Sequence, residues 1–142
     1  MLTDRTSINK LSYQVIGCAI EVHRVLGPGL LEVPYVLALA EQLKVEGIDY
    51  ELDVAVPVSY HGKPLGCGYR MDIVVASTIV LEIKSVRALI DVHHKQLLCY
   101  LKLTKLPLGL LINFNVSLLR EGISRIINLP RPEPDEDGSS AA

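Results

Sequence analysis

Apolar residues recur at helical spacing in three stretches of the chain. The first covers residues 8–26 and stops at Gly27-Pro28-Gly29, a sequence that ends helices. The second covers residues 31–45, where Pro34 is tolerated because the first turn of a helix needs no amide donor at that position. The third covers residues 91–103. The pattern therefore predicts three amphipathic helices, two of which precede the sheet.

Apolar runs of strand length account for most of the remaining chain. Valine alternates with other residues in 53–60, which predicts a strand followed by a turn at His61-Gly62-Lys63-Pro64. Two runs rich in Val and Ile predict neighbouring antiparallel strands, and two later runs complete the set; the four are 68–75, 78–84, 108–113 and 124–128. Because a helix separates the middle two, those strands should pair in parallel through a right-handed crossover. The order predicts an α/β fold with a central mixed β-sheet flanked by α-helices.

Three charged residues, Asp72, Glu82 and Lys84, interrupt these otherwise apolar strands. Buried strands exclude ionised groups unless the groups are paired or hold a metal. A three-residue loop at 76–78 would place Asp72 opposite Glu82, whereas a two-residue turn would send the carboxylates to opposite faces. Two convergent carboxylates provide the oxygen ligands that Mg²⁺ prefers, and a neighbouring ammonium can neutralise negative charge that develops on a phosphate. The alternative is an exposed end of a strand pair with an ordinary surface ion pair.

Composition narrows the function classes. The chain has 142 residues, of which 49% are hydrophobic and 21% charged, which predicts one globular domain over residues 1–129. From residue 130 the chain is acidic and rich in Pro and Ser, which predicts a disordered tail over 130–142. The formal net charge of −2 argues against binding nucleic acid by bulk basicity. Three scattered cysteines argue against structural zinc and disulfides. With no apolar run of membrane-spanning length, we expect a cytoplasmic protein that does not bind membranes.

A family resemblance rests on several motifs. The segment Gly29-Leu30-Leu31-Glu32-Val33-Pro34-Tyr35 fits the Gly-x-x-Glu-x-x-Tyr signature of a small bacterial family named after it, which is grouped with the PD-(D/E)xK nucleases. The segments 19–24, 68–72, 82–84, 92–100 and 110–114 also resemble that family. The resemblance covers residues 8–128 and implies a restriction-endonuclease-like core, similar to that of RecB-like and Holliday-resolvase-like nucleases.

The resemblance also implies roles for particular residues. Asp72 would be the first metal carboxylate and Glu82 the second, with the carbonyl of Ile83 as a further ligand. Lys84 would position the attacking water or stabilise the phosphorane. Glu32 would be an additional acid that binds the metal directly or through water, although Val33 and Pro34 are unusual beside it. Gln96 and Tyr100 fit a Gln-x-x-x-Tyr element that, in RecB-like members, supports the metal site or contacts DNA. Further candidates for supporting or substrate-binding roles are Tyr35, His93 and Arg70, the last because it lies near the proposed site in sequence.

The helix at 91–103 carries a polar stripe. His93, Gln96 and Tyr100 share one helical face, because they are three and four positions apart. Histidine and tyrosine there favour a stripe that faces the site, and the alternative is a plain solvent face. His94 and Lys95 are predicted to face solvent, Cys99 to lie in the core, and His23 to be a partly buried structural residue.

The sequence thus predicts a nuclease that hydrolyses phosphodiester bonds of DNA, with Mg²⁺ as its metal and Mn²⁺ as a substitute. The alternative is a weak or silent module on the same fold that binds nucleic acid or protein and forms a homodimer. Net acidity favours this alternative, and the three charged residues in the sheet oppose it.

Overall fold

A computed structural model describes residues 1–66 and 68–129 of the protein. Cys67 and the predicted tail at 130–142 lie outside the described residues. The helices are α1 (Arg5–Leu26), α2 (Glu32–Val45) and α3 (Asp91–Thr104), and a short 3₁₀ turn covers Leu119–Gly122. The strands are β1 (Tyr50–Ala55), β2 (Ser59–Tyr60), β3 (Lys63–Pro64), β4 (Arg70–Val75), β5 (Ile79–Lys84), β6 (Leu108–Asn113) and β7 (Ile123–Ile127).

Five of these strands form the central sheet, in the order β1-β4-β5-β6-β7. Strand β5 pairs with β6 in parallel, and the other three pairings are antiparallel. Helix α3 makes the crossover between β5 and β6. The predicted mixed sheet is therefore confirmed, with β7 as the strand that completes it.

Each face of the sheet has its own hydrophobic core. Apolar side chains of α1 and α2, such as Val15 and Leu39, pack with Ile73, Leu81 and other residues of one sheet face. Side chains of α3, such as Leu97, pack with Val74, Val80 and their neighbours on the other face. Because both faces are covered, a polar side chain on the central strands must either find a partner inside or mark an opening.

The register of β4 and β5 agrees with the prediction. Val75 pairs with Ile79 and Ile73 with Leu81, which leaves the three-residue loop 76–78 between the strands. Ala76 and Ser77 both adopt a φ of 49°, and the amide of Thr78 donates to the carbonyl of Val75 over 2.9 Å. The predicted odd-length loop is thus confirmed, and it sets Asp72 opposite Glu82.

The prediction of a single strand over residues 53–60 is wrong. Strand β1 begins earlier, at Tyr50, and ends at Ala55; Ser59 and Tyr60 belong to the separate two-stranded hairpin β2–β3. Pro57 lies between the two and has no amide hydrogen to donate to a ladder. His61 and Gly62, with φ of 48° and 75°, form the hairpin turn, so Lys63 and Pro64 are strand residues instead of turn residues.

In the part of the chain that the structure describes, no helix has the length and apolarity needed to cross a membrane.

The packing around the end of β6 gives a stability prediction. A Cβ on Gly122 would overlap the main-chain oxygen of Asn113, which cannot move without disturbing β6. Gly122→Ala should therefore lower the free energy of unfolding by about 1–3 kcal/mol, as overpacking does elsewhere. Urea denaturation measures this change.

The matched control is Gly17→Ala in α1, where an added Cβ meets nothing within 4 Å. That change should raise the free energy of unfolding by about 0.5–1 kcal/mol, because alanine favours a helix interior. Equal effects of the two substitutions would contradict the proposed overlap at Gly122.

Candidate active site

The regular pairing of β4 with β5 ends just before Asp72 and Glu82. The last regular pair is Ile73 with Leu81. Beyond it, the amide of Ile83 donates to Oδ2 of Asp72 over 2.8 Å, and the amide of Asp72 donates to Oε1 of Glu82 over 3.2 Å. Each carboxylate therefore takes a main-chain donor from the other's strand, and the two acids are held together where the strands stop exchanging main-chain bonds.

Both carboxyl groups are poorly solvated. Glu82 is only 7% exposed, and burial, followed by the charge of Asp72, raises its pKa to about 8. Asp72 is half-buried; burial raises its pKa, although the hydrogen bond from Ile83 acts in the opposite direction. The pair is thus a place where negative charge is costly unless a cation compensates it.

Lys84 supplies part of that compensation. After the effects of burial and hydrogen bonding, the charge of Lys84 favours the ionised forms of both Asp72 and Glu82. Within the described residues it makes no ion pair with a carboxylate, since the two ion pairs there are Arg24 with Glu21 and Arg70 with Asp53. Its main chain is fixed, because its carbonyl accepts the Phe114 amide over 2.9 Å. The ammonium is near the acids yet not held by them.

Glu32 is the first residue of α2. Its side chain is exposed. Burial is the main reason that the pKa values of Asp72 and Glu82 are raised, and the negative charge of Glu32 raises both further. The Ser85 hydroxyl donates to the carbonyl of Leu30, which ties the segment before α2 to the end of β5. The structure thus brings Glu32 within electrostatic reach of the pair.

Tyr35 supports that segment from inside. It is fully buried and stacks on Phe114 with the ring centroids 4.5 Å apart. Its hydroxyl donates to the carbonyl of Gly27 over 2.6 Å and accepts the amide of Leu30 over 3.2 Å. Tyr35 therefore shapes the turn that leads to Glu32, and its burial leaves it no surface for a substrate.

The polar stripe of α3 divides into different roles. Tyr100 is 6% exposed and packs in the same core as Val80 and Leu111, and Leu111 pairs with Glu82 across β5 and β6. Burial, followed by the charge of Glu82, raises the pKa of Tyr100. His93 instead uses Nδ1 to accept the amide of Ile90 over 3.1 Å at the start of the helix. Gln96 is half-buried, and no contact places it at the acids. Of the three residues, Tyr100 is the one that the structure brings to the acids.

Two neighbours of the stripe contradict the sequence prediction. His94 is half-buried, and its ring nitrogens contact the carbonyl of Ile90 over 3.1 Å and the hydroxyl of Ser124 over 3.0 Å. It was predicted to face solvent, but β7 lies against this side of α3. Cys99 was predicted to lie in the core and is exposed. His23 agrees with its prediction: it is half-buried and its Nε2 contacts the carbonyl of Val116 over 2.7 Å.

Arg70 is engaged by a residue that the sequence analysis did not single out. Its Nε donates to Oδ1 of Asp53 over 2.7 Å, and its guanidinium also donates to the carbonyl of Asp53 over 2.6 Å. Asp53 has a φ of 52°, and the β1–β4 register skips Asp53 and Asp72. The aspartate itself was the available signal, because aspartate tolerates the left-handed region better than most residues.

The donor set can be compared with what a metal needs. In residues 1–66 and 68–129, no three His, Cys, Asp or Glu side chains are grouped so that they could hold a metal ion. Asp72, Glu82 and Glu32 therefore do not form a closed three-carboxylate cluster. Two carboxylates supplemented by a main-chain carbonyl and water still provide the hard oxygen donors that Mg²⁺ prefers, and Mg²⁺ commonly keeps several waters.

Comparisons with known proteins agree with the motifs. A family model described as the PD-(D/E)XK nuclease superfamily matches residues 9–126 of the chain. No curated protein and no solved structure matches it. The superfamily implied by the sequence motifs is therefore confirmed, and the narrower Gly-x-x-Glu-x-x-Tyr family stays a prediction.

The raised pKa of Glu82 has a direct consequence for stability. Because the folded protein releases this proton near pH 8 and an unfolded chain near 4.5, the folded state holds more protons between these values. Without metal, the free energy of unfolding should fall as the pH rises from about 5 to 8, by up to about 1.4 kcal/mol per pH unit. Urea denaturation in EDTA across this range measures the slope.

Glu82→Gln should flatten that slope, since the amide keeps an acceptor for the Asp72 amide but does not titrate. Glu41→Gln, which changes an exposed glutamate of α2, is the matched control and should leave the slope unchanged. A wild-type protein whose stability rises with pH over this range would contradict the buried, charge-coupled pair.

Proposed function

The chain belongs to the PD-(D/E)XK nuclease superfamily, and we propose that it is a metal-dependent nuclease that hydrolyses phosphodiester bonds of DNA. The observation that carries the proposal is the pair of main-chain hydrogen bonds that holds the two carboxylates together between β4 and β5: Glu82 accepts the amide of Asp72, and Asp72 accepts the amide of Ile83. Glu82 is buried and Asp72 is half-buried. A sheet held together by packing alone gains nothing from a buried acid beside a half-buried one, because their charges repel each other.

The metal is proposed to be Mg²⁺, with Mn²⁺ as a substitute. Its protein ligands would be the carboxylates of Asp72 and Glu82 and the carbonyl of Ile83, with Glu32 acting through water. Such an ion lowers the pKa of a bound water and stabilises negative charge on phosphate oxygens. Ionised Glu82 is the form suited to binding, so the protein must release the Glu82 proton when the site is filled.

Lys84 has a separate role in this proposal. Its ammonium is near both acids without an ion pair to either, so it can donate hydrogen bonds to a phosphate oxygen or to the attacking water. A fixed cation is most effective where negative charge grows in the transition state. Half-burial strengthens that effect, because screening by water is weaker there.

The remaining residues position these groups. Tyr35 holds the turn before Glu32, and Tyr100 closes the α3 side of the acid pair, where its buried ring excludes water. His93 caps α3 and Arg70 is paired with Asp53, so both act through the shape of the site. Gln96 is proposed to support the substrate from the α3 side.

Metal binding should be visible as stabilisation of the fold. A ligand at 100 times its dissociation constant raises the free energy of unfolding by about 2.7 kcal/mol. Thermal unfolding at pH 8 with Mg²⁺ or Mn²⁺ should show a higher Tm than in EDTA. Asp72→Asn should lose this shift, because the amide removes a ligand charge with little change of shape.

Lys84→Ala should separate metal binding from chemistry. It should keep most of the metal-induced Tm shift and lose about 100-fold or more of the cleavage rate, since one transition-state donor has that effect. The rate is measured on labelled single-stranded, duplex and branched DNA with Mg²⁺. Lys44→Ala, an exposed lysine at the end of α2, should leave both values unchanged.

Equal cleavage by wild type and Lys84→Ala would contradict the proposal and identify the activity as a contaminant. A metal shift that survives in Asp72→Asn would contradict the proposed ligands. The same fold would then serve as a silent interaction module, an alternative that the net charge of −2 favours.

A further inference from the structure

An aromatic pair extends outward from the carboxylate pair. Tyr100 lies beside Glu82 and is buried, as described above. The ring of Tyr69 lies 6.0 Å from that of Tyr100, centroid to centroid, and Tyr69 is 48% exposed. Tyr69 therefore covers Tyr100 and presents part of its own ring to solvent, close to the proposed cleavage site.

A groove of about 580 Å³ begins at this exposed ring. Tyr69 and Arg70 line it, and the end of β1 and the β2–β3 hairpin form the rest, largely with the apolar side chains of Val56, Pro57, Val58 and Pro64. Main-chain bonds fix this frame: the Val56 amide donates to the Tyr69 carbonyl and the Leu65 amide to the Val58 carbonyl, both over 2.9 Å.

We propose that this groove holds an unpaired nucleotide next to the cleaved phosphodiester bond, which makes single-stranded DNA the substrate class. The inference rests on the proposed function and identifies the substrate of the same site. An aromatic face beside apolar walls is what an unstacked base needs, and stacking on such a face does not depend on the base sequence.

Charge also favours a single strand. A protein that binds duplex DNA usually neutralises many phosphates with lysine and arginine. Here the formal net charge is −2, and Arg70 is the one charged residue among the described residues that line the groove. The Arg70 guanidinium is itself paired with Asp53, so the groove offers little free positive charge to a duplex backbone. Binding that relies on stacking fits these features better than duplex binding.

Fluorescence anisotropy tests the inference with a fluorescein-labelled 20-nucleotide single strand and the matching duplex. Binding is measured on the Asp72→Asn background, which prevents turnover. The single strand should bind more tightly than the duplex. Adding Tyr69→Ala should weaken single-strand binding about 5- to 100-fold, the loss expected for one base–aromatic stack, and should remove the preference.

Two further variants separate stacking from folding. Tyr69→Phe keeps the ring and should keep the single-strand preference. Tyr13→Ala removes an exposed tyrosine of α1, the helix that packs on the opposite sheet face. It should leave the single-strand affinity and the strand preference unchanged. Urea denaturation checks that Tyr69→Ala is folded. If that variant is unfolded, the inference is tested by the Asp72→Asn protein alone. Duplex binding by Asp72→Asn that equals or exceeds its single-strand binding overturns the inference.

The outcome for this inference is distinct from that for the proposed function. Cleavage of duplex and single strand at equal rates by the wild-type protein, lost in Lys84→Ala, would leave the nuclease intact and overturn the groove assignment. Tight single-strand binding that Tyr69→Ala leaves unchanged would overturn it as well. Absence of binding and of cleavage for both strands would overturn both.

Discussion

The register of β4 and β5 is the constraint on which the site depends. The three-residue loop at 76–78 sets Val75 against Ile79, and from that pair every following residue is placed. One residue fewer would move Glu82 to the opposite face of the sheet from Asp72. With the observed register, the two acids meet where the strands part, and each accepts a main-chain amide from the other strand. The elements around the sheet complete the site: β6 fixes Lys84, α2 begins at Glu32, and α3 supplies Tyr100.

This arrangement costs stability when no cation is present. Burial makes ionisation of Glu82 unfavourable up to a pH of about 8, and Asp72 adds to the effect. Lys84 offsets part of the cost without neutralising either acid through an ion pair in the described residues. An active site can carry this unfavourable electrostatic energy, because a bound divalent ion compensates the negative charge and thereby stabilises the metal-bound protein. The same feature would be difficult to explain in a protein that served as a scaffold alone.

The sequence allowed the framework to be predicted, because its signals were local or periodic. Helical spacing, Val- and Ile-rich runs and an odd loop length determine α1–α3, β4–β6 and the placement of Asp72 opposite Glu82. The features that were missed depend on long-range contacts. The Asp53–Arg70 pair joins residues 17 positions apart, and His94 reaches Ser124 across 30 positions. The exposed ring of Tyr69 and the separate β2–β3 hairpin follow from the way the chain leaves β1, which periodicity does not reveal.

The position of the bound metal decides whether Asp72 and Glu82 form the active site. A crystal of the wild-type protein soaked in Mn²⁺ at pH 8, with diffraction measured at a wavelength where manganese scatters anomalously, would show where the ion binds. We expect an anomalous peak bounded by the carboxylates of Asp72 and Glu82 and the carbonyl of Ile83, and no such peak in Asp72→Asn. A manganese peak elsewhere in the wild-type protein, with the two acids still hydrogen-bonded only to main-chain amides, would contradict it.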